Sequence, residues 1–166
     1  MRKGQFWNIR GGKFYVFGST LPRLRPGDFF MQMNDPIEVA AGLVFRRGKL
    51  LISQRPAGGH LAGLWEFPGG KCETGEALPE CLQRELFEEL GVVVSVSERV
   101  MTTTHVYPEK AVKLNFFLCK LVTGKPEGME GQALAWITSE ELGGYSFPEA
   151  DAKLLEKLYQ NPDWWG

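Results

Sequence analysis

Residues 70–92 read GKCETGEALPECLQRELFEELGV and join a glycine-containing loop to a segment with helical periodicity. Leucine recurs at every fourth position from Leu78 to Leu90, which predicts an α-helix with one apolar face. Pro79 suits the first turn of such a helix, and Gly91 suits its C-terminal cap. The pattern therefore predicts a helix of about three turns that ends at Gly91.

Three acidic residues, Glu85, Glu88 and Glu89, lie on this predicted helix. Positions i, i+3 and i+4 share one helical face, so the three carboxylates would repel one another. Divalent cations would neutralise this repulsion, and ligand sets made only of oxygen suit magnesium or manganese. A solvated acidic face is the alternative interpretation, because such glutamate runs are common on helices.

Two glycines, Gly69 and Gly70, precede the predicted helix. Glycine permits sharp backbone turns, so main-chain oxygens and amides can approach a metal ion or a phosphate group closely. This loop therefore favours a cation site over a solvated acidic face.

The segments before the glycine loop have the pattern of β-strands. Two runs rich in leucine and β-branched residues, Glu38–Phe45 and Lys49–Arg55, flank a short turn and predict a hairpin. Trp65–Pro68 predicts a short extended piece that proline ends. The chain is thus expected to enter the glycine loop from a sheet.

More strands and a second helix are predicted after the first helix. Val92–Val96 and Ala133–Ile137 predict short strands. Alternating side chains over Val112–Cys119 predict a further strand. Apolar residues at helical spacing over Pro148–Gln160 predict a final helix. The order of elements predicts an α/β domain with a mixed β-sheet sandwiched between α-helices.

The composition of the chain limits its class. With 166 residues, of which 43% are hydrophobic, the chain can bury one substantial core. A net charge of -1 argues against binding to polymeric nucleic acid, and no stretch has the length of an apolar membrane span. Cys72, Cys81 and Cys119 are expected to be reduced thiols in a cytoplasmic protein.

Residues 1–35 differ from the rest, because they hold six basic residues and two acidic ones and have weak periodicity. We expect them to form an N-terminal extension to a domain over residues 36–166. A mobile tail, or an upstream start codon, is one interpretation, and a basic contact arm is the other.

Residues 70–92 resemble the Nudix box, the signature of the Nudix hydrolases, at all nine of its fixed positions. The matching residues are Gly70, Glu76, Arg84, Glu85, Leu86, Glu88, Glu89, Gly91 and Val92. The resemblance implies a Nudix fold and cleavage of a phosphoric anhydride with magnesium or manganese. It also implies four metal ligands: Gly70, Glu85, Glu88 and Glu89.

Catalytic roles follow from the same resemblance. Arg84 and Glu76 match the family's pair that orients the loop against the helix. A carboxylate must accept a proton from the attacking water, and Glu85 is the first candidate. Glu130 is the second, because it resembles a later glutamate that reaches the metal site in MutT-type members. A solvated loop acid is the alternative interpretation of Glu130.

The residues around the box resemble the MutT subgroup, which hydrolyses 8-oxo-dGTP to a monophosphate and pyrophosphate. Gln54–Pro56 and Leu61–Lys71 carry this resemblance. It implies that Arg55 contacts phosphate and that Phe67 and Tyr107 line a base pocket. A surface charge for Arg55 and core packing for the two aromatic residues are the alternatives.

Two positions depart from the bacterial 8-oxo-dGTP enzyme, since Asp151 replaces an asparagine and Lys110 replaces an arginine. An amide both donates and accepts hydrogen bonds, whereas an ionised aspartate only accepts. Asp151, together with Gln132–Trp136, is also similar to a bacterial pyrophosphohydrolase that prefers CTP and modified cytosine nucleotides. Asp151 is alternatively a cap of the final helix.

Three functions therefore remain open. The first is MutT-like removal of oxidised nucleotides such as 8-oxo-dGTP from the nucleotide pool, and the second is hydrolysis of CTP or 5-methylcytosine nucleotides. The third is a non-catalytic nucleotide-binding module, although such modules lose the box glutamates that this chain retains. The expected partner is a small nucleotide, without polymeric nucleic acid or membrane, and the expected assembly is a monomer or homodimer.

Overall fold

The computed structural model of the protein describes residues 35–56, 58, 61–107 and 110–166, and the backbone of residues 9–10 and 13–14. The chain divides into two compact units, Met1–Met33 and Asn34–Gly166. In the first unit, strands β1 (Ile9–Arg10) and β2 (Lys13–Phe14) pair antiparallel. The predicted extension over residues 1–35 falls mostly outside the described residues and stays a prediction.

The second unit contains a seven-stranded sheet and two α-helices within the part of the chain that the structure describes. Its strands are β3 (Ile37–Arg46), β4 (Lys49–Gln54), β5 (Trp65–Glu66), β6 (Gly69–Lys71), β7 (Val93–Val106), β8 (Ala111–Thr123) and β9 (Leu134–Ile137). The helices are α1 (Leu78–Leu90) and α2 (Ala152–Gln160). Neither helix is long and apolar enough to cross a membrane.

The sheet is mixed. The strand order is β5-β4-β3-β8-β7, with β6 paired to β3 and β9 paired to β4. β3 and β8 run parallel from Ile37↔Val112 to Phe45↔Lys120, whereas the other pairs are antiparallel. Strand β6, which contains Gly69 and Gly70, pairs directly with the central strand β3.

The predicted hairpin between β3 and β4 is confirmed. Phe45 pairs with Leu50 across the turn, and the two turn residues Arg47 and Gly48 have φ angles of 51° and 72°. Positive φ at both central residues is typical of the tight turn that joins twisted antiparallel strands. Gly48 adopts this conformation without the steric cost that a side chain would add.

The two helices cover opposite faces of the sheet, as predicted. Side chains alternate along a strand, so Ala40 and Val44 of β3 pack in the core that contains α1. Ala41 and Leu43 point to the other face and pack in the core that contains α2. Burial on both faces explains why β3 is almost continuously apolar.

Helix α1 follows its sequence signals closely. It begins at Leu78 with proline in its first turn and buries Leu82, Leu86 and Leu90 together with Cys81. Gly91 ends it in the left-handed conformation, with φ 66°, and its amide donates a hydrogen bond to the Phe87 carbonyl at 2.9 Å. The predicted limits of this helix are confirmed.

Two other elements differ from expectation. β7 extends to Val106, beyond the predicted Val92–Val96. It is a polar edge strand, and its register with β8 shifts at several points. Such shifts interrupt strict alternation, which hides a strand from periodicity. The final helix begins as a 3-10 turn over Glu149–Asp151 and becomes α-helical at Ala152.

The expectation of three reduced cysteines is wrong for two of them. Cys72 and Cys81 form a disulfide, with their Cα atoms 5.2 Å apart, and Cys119 is a free, buried thiol. The loop between β6 and α1 turns back on itself, so residues nine positions apart become neighbours. Sequence spacing alone does not reveal this reversal.

Candidate active site

Three of the predicted metal ligands lie on helix α1, and the fourth, Gly70, lies on strand β6, which packs against this helix. Gly70 lies so close to the Glu85 carboxylate that a Cβ atom at this position would overlap it. A Cβ atom on Gly69 would overlap the carbonyl oxygen of Ala40 on the neighbouring strand, and Gly69 has φ 147°. Only glycine therefore allows this strand to approach the acidic face of α1.

Arg84 links the loop to the helix. Its Nε and Nη2 atoms donate to the two carboxylate oxygens of Glu76 at 2.8 and 2.9 Å, a bidentate pair. Its Nη1 atom donates to Glu85 at 2.8 Å and to Glu88 at 3.2 Å, and Nη2 also donates to the Lys71 carbonyl. Hydrogen bonding from Arg84 lowers the pKa of Glu76 to about 2. Arg84 thus lies where the resemblance places the orienting residue.

The carboxylates of the acidic face differ in environment. Glu85 and Glu88 accept hydrogen bonds from Arg84, whereas Glu89 accepts one from the Gly69 amide. Glu88 is exposed and Glu85 is largely buried. Within the described chain, the three ligand atoms that lie within 4.8 Å of one another belong to Cys72, Glu76 and Cys81, not to these three glutamates.

The pKa of Glu89 reflects the crowding of negative charge in the cluster. Burial, followed by repulsion from Glu66 and Glu85, raises its pKa to about 7, and Glu130 adds a smaller repulsion. Such crowding of anionic oxygen donors in a partly buried site is the environment that a hard divalent cation stabilises. The donor set on α1 and β6 therefore fits magnesium or manganese.

Glu130 lies on a loop that is anchored to the C-terminal end of α1. The Met129 amide donates to the Glu89 carbonyl at 3.0 Å, and the Gln132 side-chain amide donates to the same carbonyl at 3.1 Å. Gln132 also accepts a hydrogen bond from the Glu130 amide. The exposed Glu130 carboxylate is thereby kept near the acidic cluster.

A cavity of about 320 Å³ opens beside Gly70 and Glu89. This size falls within the range of small-ligand sites. The five residues predicted to bind substrate all line it: Arg55, Phe67, Tyr107, Lys110 and Asp151. The fold therefore brings residues from distant parts of the sequence to one cavity next to the acidic cluster.

Phe67 serves mainly as part of the core. Its ring stacks on Phe147, with centroids 5.2 Å apart and an interplanar angle of 15°, and meets Phe116 edge to face. Only 5% of Phe67 is exposed. Most of this side chain is packed in the core, and part of it lines the cavity, so contact of Phe67 with a base stays a prediction.

Asp151 is the most deeply buried acid in the cavity wall, with 6% exposure. Burial raises its pKa to about 7, with a further contribution from Glu66, and Arg55 acts in the opposite direction. Asp151 makes no side-chain capping hydrogen bond to α2. Asp151 therefore occupies the N-cap position of α2 without a side-chain cap, and it lines the cavity.

Glu66 is a residue of the site to which the sequence alone assigns no role. Its carboxylate accepts a hydrogen bond from Arg55 at 2.7 Å, because β5 pairs with the end of β4, and it lines the cavity. Burial raises its pKa despite this ion pair. Repulsion from Glu66 contributes to the raised pKa of both Glu89 and Asp151, so Glu66 lies close enough to act on both carboxyl groups. An acid inside the apolar run Trp65–Pro68 was the available signal.

Comparison with known proteins agrees with this geometry. A sequence model of the NUDIX domain matches residues 40–157. An 8-oxo-dGTP diphosphatase from Haemophilus influenzae is 38% identical over 123 residues, which cover 74% of this chain and 90% of that protein. A CTP pyrophosphohydrolase from Escherichia coli is 41% identical over 120 residues, which cover 72% and 89%.

The fold has solved counterparts as well. The solution structure of the E. coli ORF135 protein superposes with a TM-score of 0.68 at 38% sequence identity, and the match covers 79% of this chain and 93% of that one. The NUDIX match spans strand β6, helix α1 and most of the sheet that carries the cavity. The chain belongs to the Nudix family of hydrolases.

Proposed function

We propose that the protein hydrolyses a nucleoside triphosphate to a nucleoside monophosphate and pyrophosphate, with magnesium or manganese as cofactor. The observation that carries this proposal is the acidic cluster on α1 and β6, of which Gly70 and Glu89 line a cavity of about 320 Å³. The triphosphate would lie toward Glu89 and the base toward Asp151. We assign the reaction to the cytoplasm and expect a monomer or a homodimer, without polymeric nucleic acid or membrane as a partner.

Four residues would hold the cation: Gly70, Glu85, Glu88 and Glu89. Bound magnesium or manganese polarises the phosphate groups and makes a coordinated water easier to deprotonate. Arg84 keeps Glu85 and Glu88 side by side, and the Gly69 amide orients Glu89. These contacts prepare the carboxylates before substrate binds, so little reorganisation is needed during the reaction.

The proton of the attacking water needs an acceptor. Glu85 is our first candidate, because its carboxylate lies against Gly70, at the junction of the cluster and the cavity. Glu130 is the second candidate, because its loop is anchored to the backbone of Glu89. Replacement of the carboxylate by an amide, as in Glu85→Gln or Glu130→Gln, would lower turnover by about a hundredfold or more if that residue is the proton acceptor.

An oxidised guanine nucleotide such as 8-oxo-dGTP is the substrate that we favour. The relative from H. influenzae is named an 8-oxo-dGTP diphosphatase. With a pKa of about 7, Asp151 is protonated in a large fraction of molecules near neutral pH. A protonated carboxyl group both donates and accepts, as the amide at this position of the compared enzyme does. Removal of such nucleotides would cleanse the nucleotide pool.

Hydrolysis of CTP or 5-methylcytosine nucleotides is the second candidate function. It is favoured by the E. coli relative named CTP pyrophosphohydrolase and by the ionised form of Asp151, which accepts a hydrogen bond from an exocyclic amine. A non-catalytic nucleotide-binding module is the third candidate. The retention of every box glutamate argues against it.

Turnover of a nucleotide panel tests these functions. The purified protein is incubated with magnesium and with 8-oxo-dGTP, dGTP, CTP or 5-methyl-dCTP, and the released monophosphate and pyrophosphate are measured. We expect a preference for 8-oxo-dGTP over dGTP of about tenfold or more. A preference for the cytosine nucleotides would select the second function. Binding without hydrolysis would select the third.

A further inference from the structure

The disulfide lies inside the segment that carries the proposed metal ligands. Cys72 directly follows strand β6, which contains Gly70, and Cys81 lies in the first turns of α1, which carries the glutamates. The bond therefore ties the two elements of the acidic cluster to each other. Neither the Nudix resemblance nor the proposed reaction assigns a role to these two residues.

Each of the two cysteines also makes a backbone hydrogen bond to its own neighbouring element. The Cys72 amide donates to the Glu38 carbonyl at 2.9 Å, which extends the contact between β6 and β3. The Cys81 amide donates to the Ala77 carbonyl at 2.9 Å, at the start of α1. A Cα separation of 5.2 Å lies within the range of natural disulfides. The bond can therefore form and break without a change of fold.

The two sulfur atoms differ in access. Cys72 is partly exposed, whereas Cys81 is fully buried. A small thiol or disulfide reagent can therefore reach Cys72 first, and Cys81 can react only with the sulfur atom beside it. Cys119 is buried in β8, and burial raises the pKa of its thiol to about 12, so it is inert. Reaction with such a reagent would be confined to this pair.

The pair also contacts the cluster. The Cys81 Sγ atom lies 3.8 Å from the Gly70 carbonyl oxygen, the main-chain oxygen proposed to face the cation. The Glu76 carboxylate lies within 4.8 Å of both sulfur atoms, and Glu76 is the bidentate partner of Arg84. A change at the two sulfur atoms therefore reaches both the loop carbonyl and the orienting arginine.

We propose that Cys72 and Cys81 form a reversible redox switch, in which the disulfide fixes the loop against α1 and strengthens cation binding. The biological use of this switch rests on the proposed function: the hydrolase would bind its cation most tightly under oxidising conditions. In the reduced form, the Cys81 thiol donates a weak hydrogen bond to the Gly70 carbonyl and competes with the cation. In the oxidised form, this donor is gone and the loop is held closed.

The switching reaction is thiol–disulfide exchange with a low-molecular-weight disulfide RSSR. The Cys72 thiolate attacks one sulfur of RSSR and expels one RS⁻, which takes up a proton. The Cys81 thiolate then attacks the Cys72 sulfur of the mixed disulfide and expels the second RS⁻. The two cysteines together lose two electrons and two protons, and RSSR gains both to become two RSH.

The test compares the protein equilibrated in oxidised glutathione with the protein equilibrated in reduced glutathione. Intact mass and thiol titration measure the disulfide, thermal unfolding measures Tm, and calorimetry measures the Kd for magnesium without nucleotide. We expect the oxidised form to have a Tm about 5 °C higher, because the bond constrains the unfolded chain. We expect its magnesium Kd to be about threefold lower.

Variants separate the switch from general oxidation. Cys72→Ser and Cys81→Ala should each keep the Tm and the magnesium Kd the same under both conditions. Cys119→Ser, which removes the thiol outside the pair, should respond to glutathione as the wild type does. A response that persists in Cys72→Ser, or is lost in Cys119→Ser, would overturn the proposal.

Two further outcomes would overturn it. One is a fully formed disulfide that changes neither the Tm nor the Kd for magnesium. The other is the finding that a thiophilic cation such as zinc binds at Cys72, Glu76 and Cys81 and prevents formation of the disulfide. Failure of the proposed function is distinguishable, because a protein without nucleotide turnover would still show the shifts in Tm and Kd.

Discussion

Asp151 is a buried carboxyl group whose protonation decides which hydrogen bonds the cavity can offer. Its pKa rises from an ordinary value of 3.8 to about 7, mainly through burial and then through Glu66. The proton is therefore bound below about pH 7 and lost above it. Below this pH Asp151 donates and accepts, and above it Asp151 only accepts.

The base preference should consequently depend on pH. As the pH rises from 6 to 8, we expect the ratio of kcat/KM for 5-methyl-dCTP to that for 8-oxo-dGTP to rise, because the ionised form suits an exocyclic amine. In Asp151→Asn, this ratio should not change with pH. Steady-state kinetics at several pH values measure it. A ratio that depends on pH equally in the variant would show that another group reads the base.

Glu66 is the residue that couples the two ends of the cavity. It holds Arg55 at 2.7 Å and raises the pKa of Asp151. We expect Glu66→Gln to lower the pH at which the base preference changes and to raise KM about fivefold, because Arg55 loses its ionic partner. The exposed Glu98 offers a control, and Glu98→Gln should change neither value. An unaltered pH profile in Glu66→Gln would remove Glu66 from this role.

At the level of elements, the close approach of β6 to α1 creates the site. The approach depends on Gly70, because any Cβ atom there overlaps the Glu85 carboxylate. The adjacent ion pair of Arg84 with Glu76 holds the loop in this position. The geometry of the cluster is thus a packing property of two elements and not of the helix alone.

Gly70→Ala should displace Glu85 and lower magnesium-dependent turnover by about a hundredfold, while the protein stays folded. Gly144→Ala is the matched control, since a Cβ atom at Gly144 meets no atom within 4 Å. This control should retain full turnover. Circular dichroism and turnover measurements distinguish the two variants. Wild-type activity in Gly70→Ala would contradict the packing argument.

The elements differ in how well sequence predicts them. α1 was predicted with its limits, because leucine periodicity, Pro79 and Gly91 are local signals. Strand β7 is longer than its sequence pattern predicts, because register shifts break its alternation. Neither the role of Glu66 nor the Cys72–Cys81 disulfide is evident from the sequence, because each depends on a partner that the strand register or a loop reversal brings near. Local signals fix the elements, and contacts distant in sequence complete the site.

On the scale of the whole molecule, the residues of the candidate site belong to one unit of the chain. Residues 34–166 contain the NUDIX match, the acidic cluster and the cavity. A net charge of -1 gives the chain no strong positive field. Both features are consistent with a small nucleotide as the ligand.

Removal of residues 1–33 should therefore leave turnover of the preferred nucleotide within about twofold of that of the full chain. A twofold change corresponds to a smaller free energy than loss of a typical substrate contact. Steady-state kinetics of the two forms measure this. The residues of the cluster and cavity are all retained in the shorter form. A loss of turnover with an unchanged Tm would indicate that residues 1–33 take part in binding.

Binding of a divalent cation by the acidic cluster is the central claim, and manganese titration followed by electron paramagnetic resonance measures it most directly. Wild-type protein should bind manganese, and Glu89→Gln should weaken binding by about tenfold or more. Glu127→Gln, which changes an exposed acid paired with Lys125, should bind as the wild type does. Equal manganese affinity in the wild type and in Glu89→Gln would contradict the account.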